Sequence, residues 1–167
     1  INKKRSFLFV SKVLGKHLPV HPLTPILASS LLASKYMKDV LHVEDKQFAR
    51  KRDAFMDSVR SIRTKFEIKP YTLPQKTIFI GFAETATALG HGVFENFQNA
   101  YFFHTTREKV DNKESIISFE EEHSHATSHY CYIESHQLDN DHPIVFIDDE
   151  LTTGKTVLNI IQAIQSK

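Results

Sequence analysis

Close to its C-terminal end the sequence reads "IVFIDDELTTGKT" over residues 144–156: an apolar run, three carboxylates, then a turn of threonines and glycine. Gly154, Lys155 and Thr156 end it as a phosphate-binding P-loop ends, but that loop needs another glycine five positions before Gly154, where the chain has Asp149. What remains is a strand, a small-residue turn and the amino end of a helix, and the N–H groups of such a turn hold one phosphate well. Thr152, Thr153 and Thr156 add hydroxyl donors. Asp148 and Asp149 would repel a polyphosphate, yet as adjacent acceptors they suit vicinal sugar hydroxyls. A phosphorylated ribose satisfies both halves. Negative charge beside its anomeric carbon would also favour an oxocarbenium-like transition state. A turn that only needed a helix cap would not spend three successive carboxylates on it.

Other stretches carry weaker signals. "GFAETATALG" (81–90) supplies the small residues Ala83, Ala86 and Ala88 where a strand gives way to a helix. In "HTTRE", Arg107 can offer a forked donor to an anion, with Lys109 a lesser candidate. "FEEEHSHATSH" holds His123, His125 and His129 near Cys131, at a spacing that matches none of the common structural zinc arrangements.

The elements that must position these groups follow from periodicity. "TIFIGF" from Thr77, "AYFFHTT" (100–106), "HYCYIE" (129–134) and "PIVFID" (143–148) predict strands, and the helix "TVLNIIQAIQ" follows the last. A second helix carries Ala86, Leu89, Val93 and Phe94. Strands alternating with helices predict an α/β fold with a mostly parallel sheet flanked by helices, its ligands at the carboxyl ends of the strands. Upstream, apolar spacing predicts helices over 26–42 and over 46–67, the latter through Phe48, Phe55, Val59, Ile62 and Phe66. Residues 4–20 read as a short strand or hairpin, and Pro70 and Pro74 mark a boundary. The chain thus divides into an N-terminal part, 1–75, packed on a core of 76–167, one domain overall. Its charged stretch 105–128 is as long as a mobile lid.

Composition narrows the partners. A net charge of +1 gives no electrostatic case for nucleic-acid or membrane binding. One cysteine makes no internal disulfide, so a cytoplasmic location is expected, and no apolar run reaches the roughly 20 residues of a membrane span. A first residue Ile1 rather than Met points to a trimmed piece of a longer protein.

The order of apolar strand, two acids, two variable residues and Thr-Thr-Gly-x-Thr resembles the motif by which type I phosphoribosyltransferases bind phosphoribosyl pyrophosphate (PRPP). "FLFVSKVLGKHLPV", "GFAETATALGHGVF", "FHTTRE" and "FEEEHSHATSH" extend the resemblance over most of the chain, to the orotate-phosphoribosyltransferase-like family of bacterial tellurite-resistance and stress operons. That resemblance implies Mg²⁺-dependent transfer of phosphoribose from PRPP to an orotate-like or other nitrogenous base, releasing pyrophosphate. It assigns the 5′-phosphate to Thr152, Thr153, Gly154, Lys155 and Thr156, and the ribose hydroxyls and the ion to Asp148 and Asp149. Glu84, Thr85, Ala86 and Thr87 would take the pyrophosphate through main-chain N–H groups, with Arg107 beside them. The segment around His123 and His125 looks like a hood that closes over PRPP, and Lys12, Lys16 and His17 like a base-recognition edge. Thr152 stands where purine-salvage relatives carry a carboxylate, which points to an anionic, orotate-like acceptor. Type I relatives are often homodimers. They also add a strand after the phosphate-loop helix, so an incomplete C-terminus, finished by a further segment or a partner, is expected. A non-catalytic PRPP-sensing regulator or assembly subunit would use the same binding loop.

Overall fold

Apolar residues at helical spacing produce two helices in the first part of the chain, α1 (Leu23–Asp39) and α2 (Phe48–Val59). The computed structural model describes residues 10–62, 64–113, 117–120, 128–138, 141–151 and 153–166. They fall into two units, Ile1–Ile68 and Lys69–Lys167.

In the first unit α1 and α2 meet through small residues: Ser30, Ala33 and Ser34 on α1, Ala54 and Ser58 on α2, all buried. The Thr24 hydroxyl donates to Ser58 Oγ at 3.2 Å across that contact. Deeper still, Lys51 Nζ lies 2.7 Å from Asp45 Oδ2 and 3.3 Å from Ser34 Oγ. Helix α2 stops short of the 46–67 predicted. Ser61 takes a left-handed φ of 59°, and the N–H of Ile62 turns back to the Asp57 carbonyl at 2.9 Å, a closure that ends helices. Phe66 therefore lies beyond the helix, under the Arg50 guanidinium at 5.6 Å. No strand forms within residues 10–20; two backbone N–H groups, of Val13 and Leu14, fold onto Ser11 Oγ instead.

The second unit is built on β1 (Tyr71–Gly81), α3 (Thr85–Phe94), β2 (Phe97–Thr106), β3 (Ile117–Glu120), β4 (Ser128–Cys131), a short α4 (Ser135–Leu138), β5 (Ile144–Ile147) and α5 (Lys155–Gln165). The strand order is β3-β4-β2-β1-β5. β1 runs parallel to β2 and to β5, whereas β4 pairs antiparallel with both β2 and β3. The sheet is therefore mixed, a parallel core of three strands extended by a hairpin. Of "HYCYIE", His129, Tyr130 and Cys131 lie in β4, which runs opposite to β2, and Tyr132, Ile133 and Glu134 lie beyond the strand. Part of the stretch predicted as a lid, residues 117–120, is strand.

β1 begins earlier than Thr77. Its register against β2 slips between Thr72 and Thr77, and Pro74 sits in that slip, where a missing N–H breaks no ladder. Beyond the slip, alternation splits the side chains between two faces. Ile78, Ile80 and Phe82 join Tyr101, Phe103, Phe146 and Ile160 in the main core. Phe79 turns the other way, stacked on Phe97 at 5.3 Å and edge-on to Phe94 at 6.5 Å. No helix among the described residues is long and apolar enough to cross a membrane.

Candidate active site

The parallel register decides what shares an edge. Gly81 pairs with His104 of β2 on one side and Ile147 of β5 on the other, so three strand ends open together. The N–H of Phe82 donates to the Ile147 carbonyl at 3.1 Å, and the Phe82 ring stacks on Phe146 at 6.0 Å. Two turns leave that edge as neighbours: residues 82–84 into α3, and residues 148–154 into α5.

Ile147 is buried, and after it Asp148, Asp149 and Glu150 are half-buried. The Asp149 N–H donates to the Asp148 carboxylate at 2.9 Å, which orients the first acid along the backbone of the second. Thr153 Oγ1 accepts the Lys155 N–H at 3.4 Å, and the first helical bond of α5 runs from the Leu158 N–H to the Gly154 carbonyl at 3.0 Å. Gly154 has φ 73°, in the left-handed region where side chains are disfavoured, and a Cβ built there meets no atom within 4 Å. The turn thus has an open side next to the amino end of a helix, where N–H groups point outward. Thr153 and Lys155 are exposed and Thr156 half-buried. Thr152 lies outside the described residues.

The other turn is held more tightly. A Cβ on Gly81 would stand 2.7 Å from the Ala86 carbonyl oxygen, so only glycine lets the end of β1 approach the first turn of α3 this closely. Gly90 answers it from α3, where a Cβ would come 3.2 Å from Gly81 Cα and 3.0 Å from Phe102. Glu84 caps α3 through its backbone alone, the Ala83–Glu84 peptide bond is cis, and the Thr87 N–H reaches the Glu84 carbonyl at 3.3 Å. Ala86 is buried, while Glu84, Thr85 and Thr87 stay accessible.

Arg107, the first residue past β2, is exposed at this same edge. His123 and His125 lie outside the described residues. Lys12, Lys16 and His17 are exposed in the first unit. Of the histidines near Cys131, only His129 is described, and it is a core residue: buried, its ring parallel to Phe119 at 4.9 Å, its Nδ1 3.1 Å from Thr105 Oγ1. Burial pushes the Cys131 thiol up to about 12, so it stays protonated and is a poor metal ligand.

Thr105 is the residue that sequence reading overlooked. Its hydroxyl oxygen accepts the Ala83 N–H at 2.8 Å while contacting His129. Its place after Tyr101 and Phe103 in the inward series marks it as a core-facing polar residue, though not which group it meets.

Oxygen donors of the acid turn suit magnesium, which takes carboxylates together with water or substrate oxygens. Among the described residues no three His, Cys, Asp or Glu side chains gather into a metal cage. One or two of these carboxylates could share such an ion with oxygens of a bound ligand.

The model of a family described as phosphoribosyl transferase matches residues 1–167. No curated protein and no solved structure matches the chain.

Proposed function

The chain belongs to the phosphoribosyl transferase family and is an enzyme of PRPP-based phosphoribosyl transfer; on that premise we propose that it joins phosphoribose to an orotate-like, anionic nitrogen base in a Mg²⁺-dependent reaction. The observation that supports the assignment of groups is the pairing of β5 with β1, which sets the acid turn beside the turn into α3.

In this reading Thr153, Gly154, Lys155 and Thr156, with Thr152, grip the 5′-phosphate through N–H groups and hydroxyls. Asp148 and Asp149 accept hydrogen bonds from the ribose hydroxyls and fix the sugar in place. The N–H groups of Glu84, Thr85 and Ala86, with the Thr87 hydroxyl (its N–H being turned to the Glu84 carbonyl) and the Arg107 guanidinium, hold the pyrophosphate. A nitrogen lone pair of the base attacks the anomeric carbon from the face opposite the leaving group. The bond to the pyrophosphate oxygen breaks, with inversion. Positive charge building on the ring is stabilised by the acid pair, and negative charge on the leaving oxygen by the second turn and by His123 and His125. Magnesium, when bound with PRPP by Asp148 or Asp149, supplies electrostatic neutralisation of the pyrophosphate. The enzyme would act as a homodimer in the cytoplasm, in a tellurite-resistance or stress setting.

The test is incubation with PRPP, Mg²⁺ and a panel of bases, reading released pyrophosphate. Release with orotate or another carboxylated heterocycle supports the proposal. Binding of PRPP without release across the panel replaces it with the sensor reading.

A further inference from the structure

Thr105 and His129 do more than fill the core, and we infer that they are positioning residues for the pyrophosphate-holding turn, an inference that rests on the site assignment proposed above. Thr105 is fully buried at the last inward position of β2. Its Oγ1 accepts the N–H of Ala83, the residue that leads directly into Glu84 and the first turn of α3. The same oxygen lies 3.1 Å from His129 Nδ1. A hydroxyl has one proton and two lone pairs, so with one lone pair on the Ala83 N–H it meets the imidazole with its proton or its second lone pair. Either way Oγ1 is fixed from two directions, and a β-branched side chain has few other rotamers to adopt.

His129 is in turn held by two restraints. Its ring lies flat on Phe119, with 7° between the planes, and residues 119 and 129 are register partners in the β3–β4 pair. The hairpin therefore sets the plane of the imidazole, the imidazole sets the hydroxyl, and the hydroxyl sets the direction of the backbone at Ala83. The main-chain donors that follow can hold an anion only if that backbone direction is kept. The contacts that fix Ala83 from Thr105 run through β2 and the β3–β4 hairpin, so substitution at Thr105 should separate the pyrophosphate half of the site from the acid turn.

That separation supplies the test. Calorimetric titrations in Mg²⁺ would compare pyrophosphate with ribose-5-phosphate for the wild type, Thr105→Val, Thr105→Ser and His129→Phe, alongside amide exchange at Ala83. Thr105→Val is expected to weaken pyrophosphate roughly ten-fold, the size of one hydrogen bond. It should leave ribose-5-phosphate within about two-fold and accelerate exchange at Ala83. Thr105→Ser, which keeps the oxygen, should restore both; His129→Phe, which keeps the stacked ring, should fall between. Where Thr105→Val does not fold, Thr105→Ala carries the same expectation. Pyrophosphate affinity and Ala83 exchange unchanged in the valine or alanine variant overturn the inference, as does an equal loss for both ligands. A wild type that binds neither ligand, with Ala83 still deprotected in the variant, leaves the backbone restraint standing and overturns the site assignment instead.

Discussion

Ile147 and Gly81 face each other in parallel register, and the Ile147 carbonyl accepts the N–H of Phe82, one residue past Gly81, at 3.1 Å. The acid turn and the turn into α3 are thereby joined at their roots. A ligand spanning both needs no movement of one strand relative to the other.

The acid pair is the first place to test this. Asp148→Asn with Asp149→Asn keeps shape and removes both charges. Hydrogen bonds to a charged acceptor are worth roughly 1.5–3 kcal/mol each, so PRPP affinity in Mg²⁺ should fall by roughly a hundred-fold or more. Unchanged calorimetric affinity in the double variant would reject the site.

Gly81→Ala probes the close approach of β1 to α3. The added methyl meets a backbone carbonyl oxygen at 2.7 Å, which cannot rotate away as a flexible side chain could. Overpacking of this kind costs about 1–3 kcal/mol, read from the urea midpoint, and α3 should be displaced at its amino end. A variant as stable as the wild type, with full pyrophosphate affinity, would contradict the packing described.

Gly154→Ala should behave differently, because space is open there and only the backbone angle objects. A left-handed alanine costs about 1–2 kcal/mol, and Gly154→Asn should cost less, since asparagine tolerates that region. Equal losses for the two substitutions would show that the turn does not keep its φ of 73°.

In the helical unit, burial pushes the Asp45 carboxyl up, but hydrogen bonds from Lys51, Ser34 and the Gln47 N–H outweigh it and hold the group below the ordinary carboxylate range. A carboxyl lowered on folding contributes stability that is complete above its unfolded value, near 3.9, and that is lost as pH falls through the folded value. Lys51→Met leaves Asp45 buried without its ammonium partner and should cost about 3–5 kcal/mol at neutral pH. The penalty should shrink as the pH is lowered, since the buried carboxyl without its ammonium takes up a proton more readily than the paired one. A penalty independent of pH, followed by urea unfolding, would show that the ion pair is not its source.

Much of this was legible in residue order. Three consecutive carboxylates between an apolar run and Thr-Thr-Gly identify a strand end and the kind of ligand that could lie there, because local chemistry and local geometry coincide over a few residues. β1 from Thr77 and β2 from Ala100 declare themselves as short apolar runs, while their first residues, before the slip at Pro74, do not. The β3–β4 hairpin does not, since "ISFE" is short and its partner lies across a charged stretch, and pairing of that kind depends on tertiary contact. Helix α2 reads too long because the left-handed turn at Ser61 has no glycine to announce it. Thr105 shows the same limit: nothing in "FHTTRE" says that its first threonine reaches a backbone amide 22 residues away in sequence.

The alternation within β1 has an evolutionary corollary. Ile78 and Ile80 serve one lining and Phe79 the other, so gaining or losing a single residue between the proline slip and Gly81 would exchange aliphatic for aromatic along the whole remaining strand and carry the glycine out of step with α3. Length changes tolerated by descendants of this sequence should therefore be confined to the connections and to the slip at Pro74, leaving 77–81 a fixed ruler against which the turn into α3 and the turn after β5 are both measured.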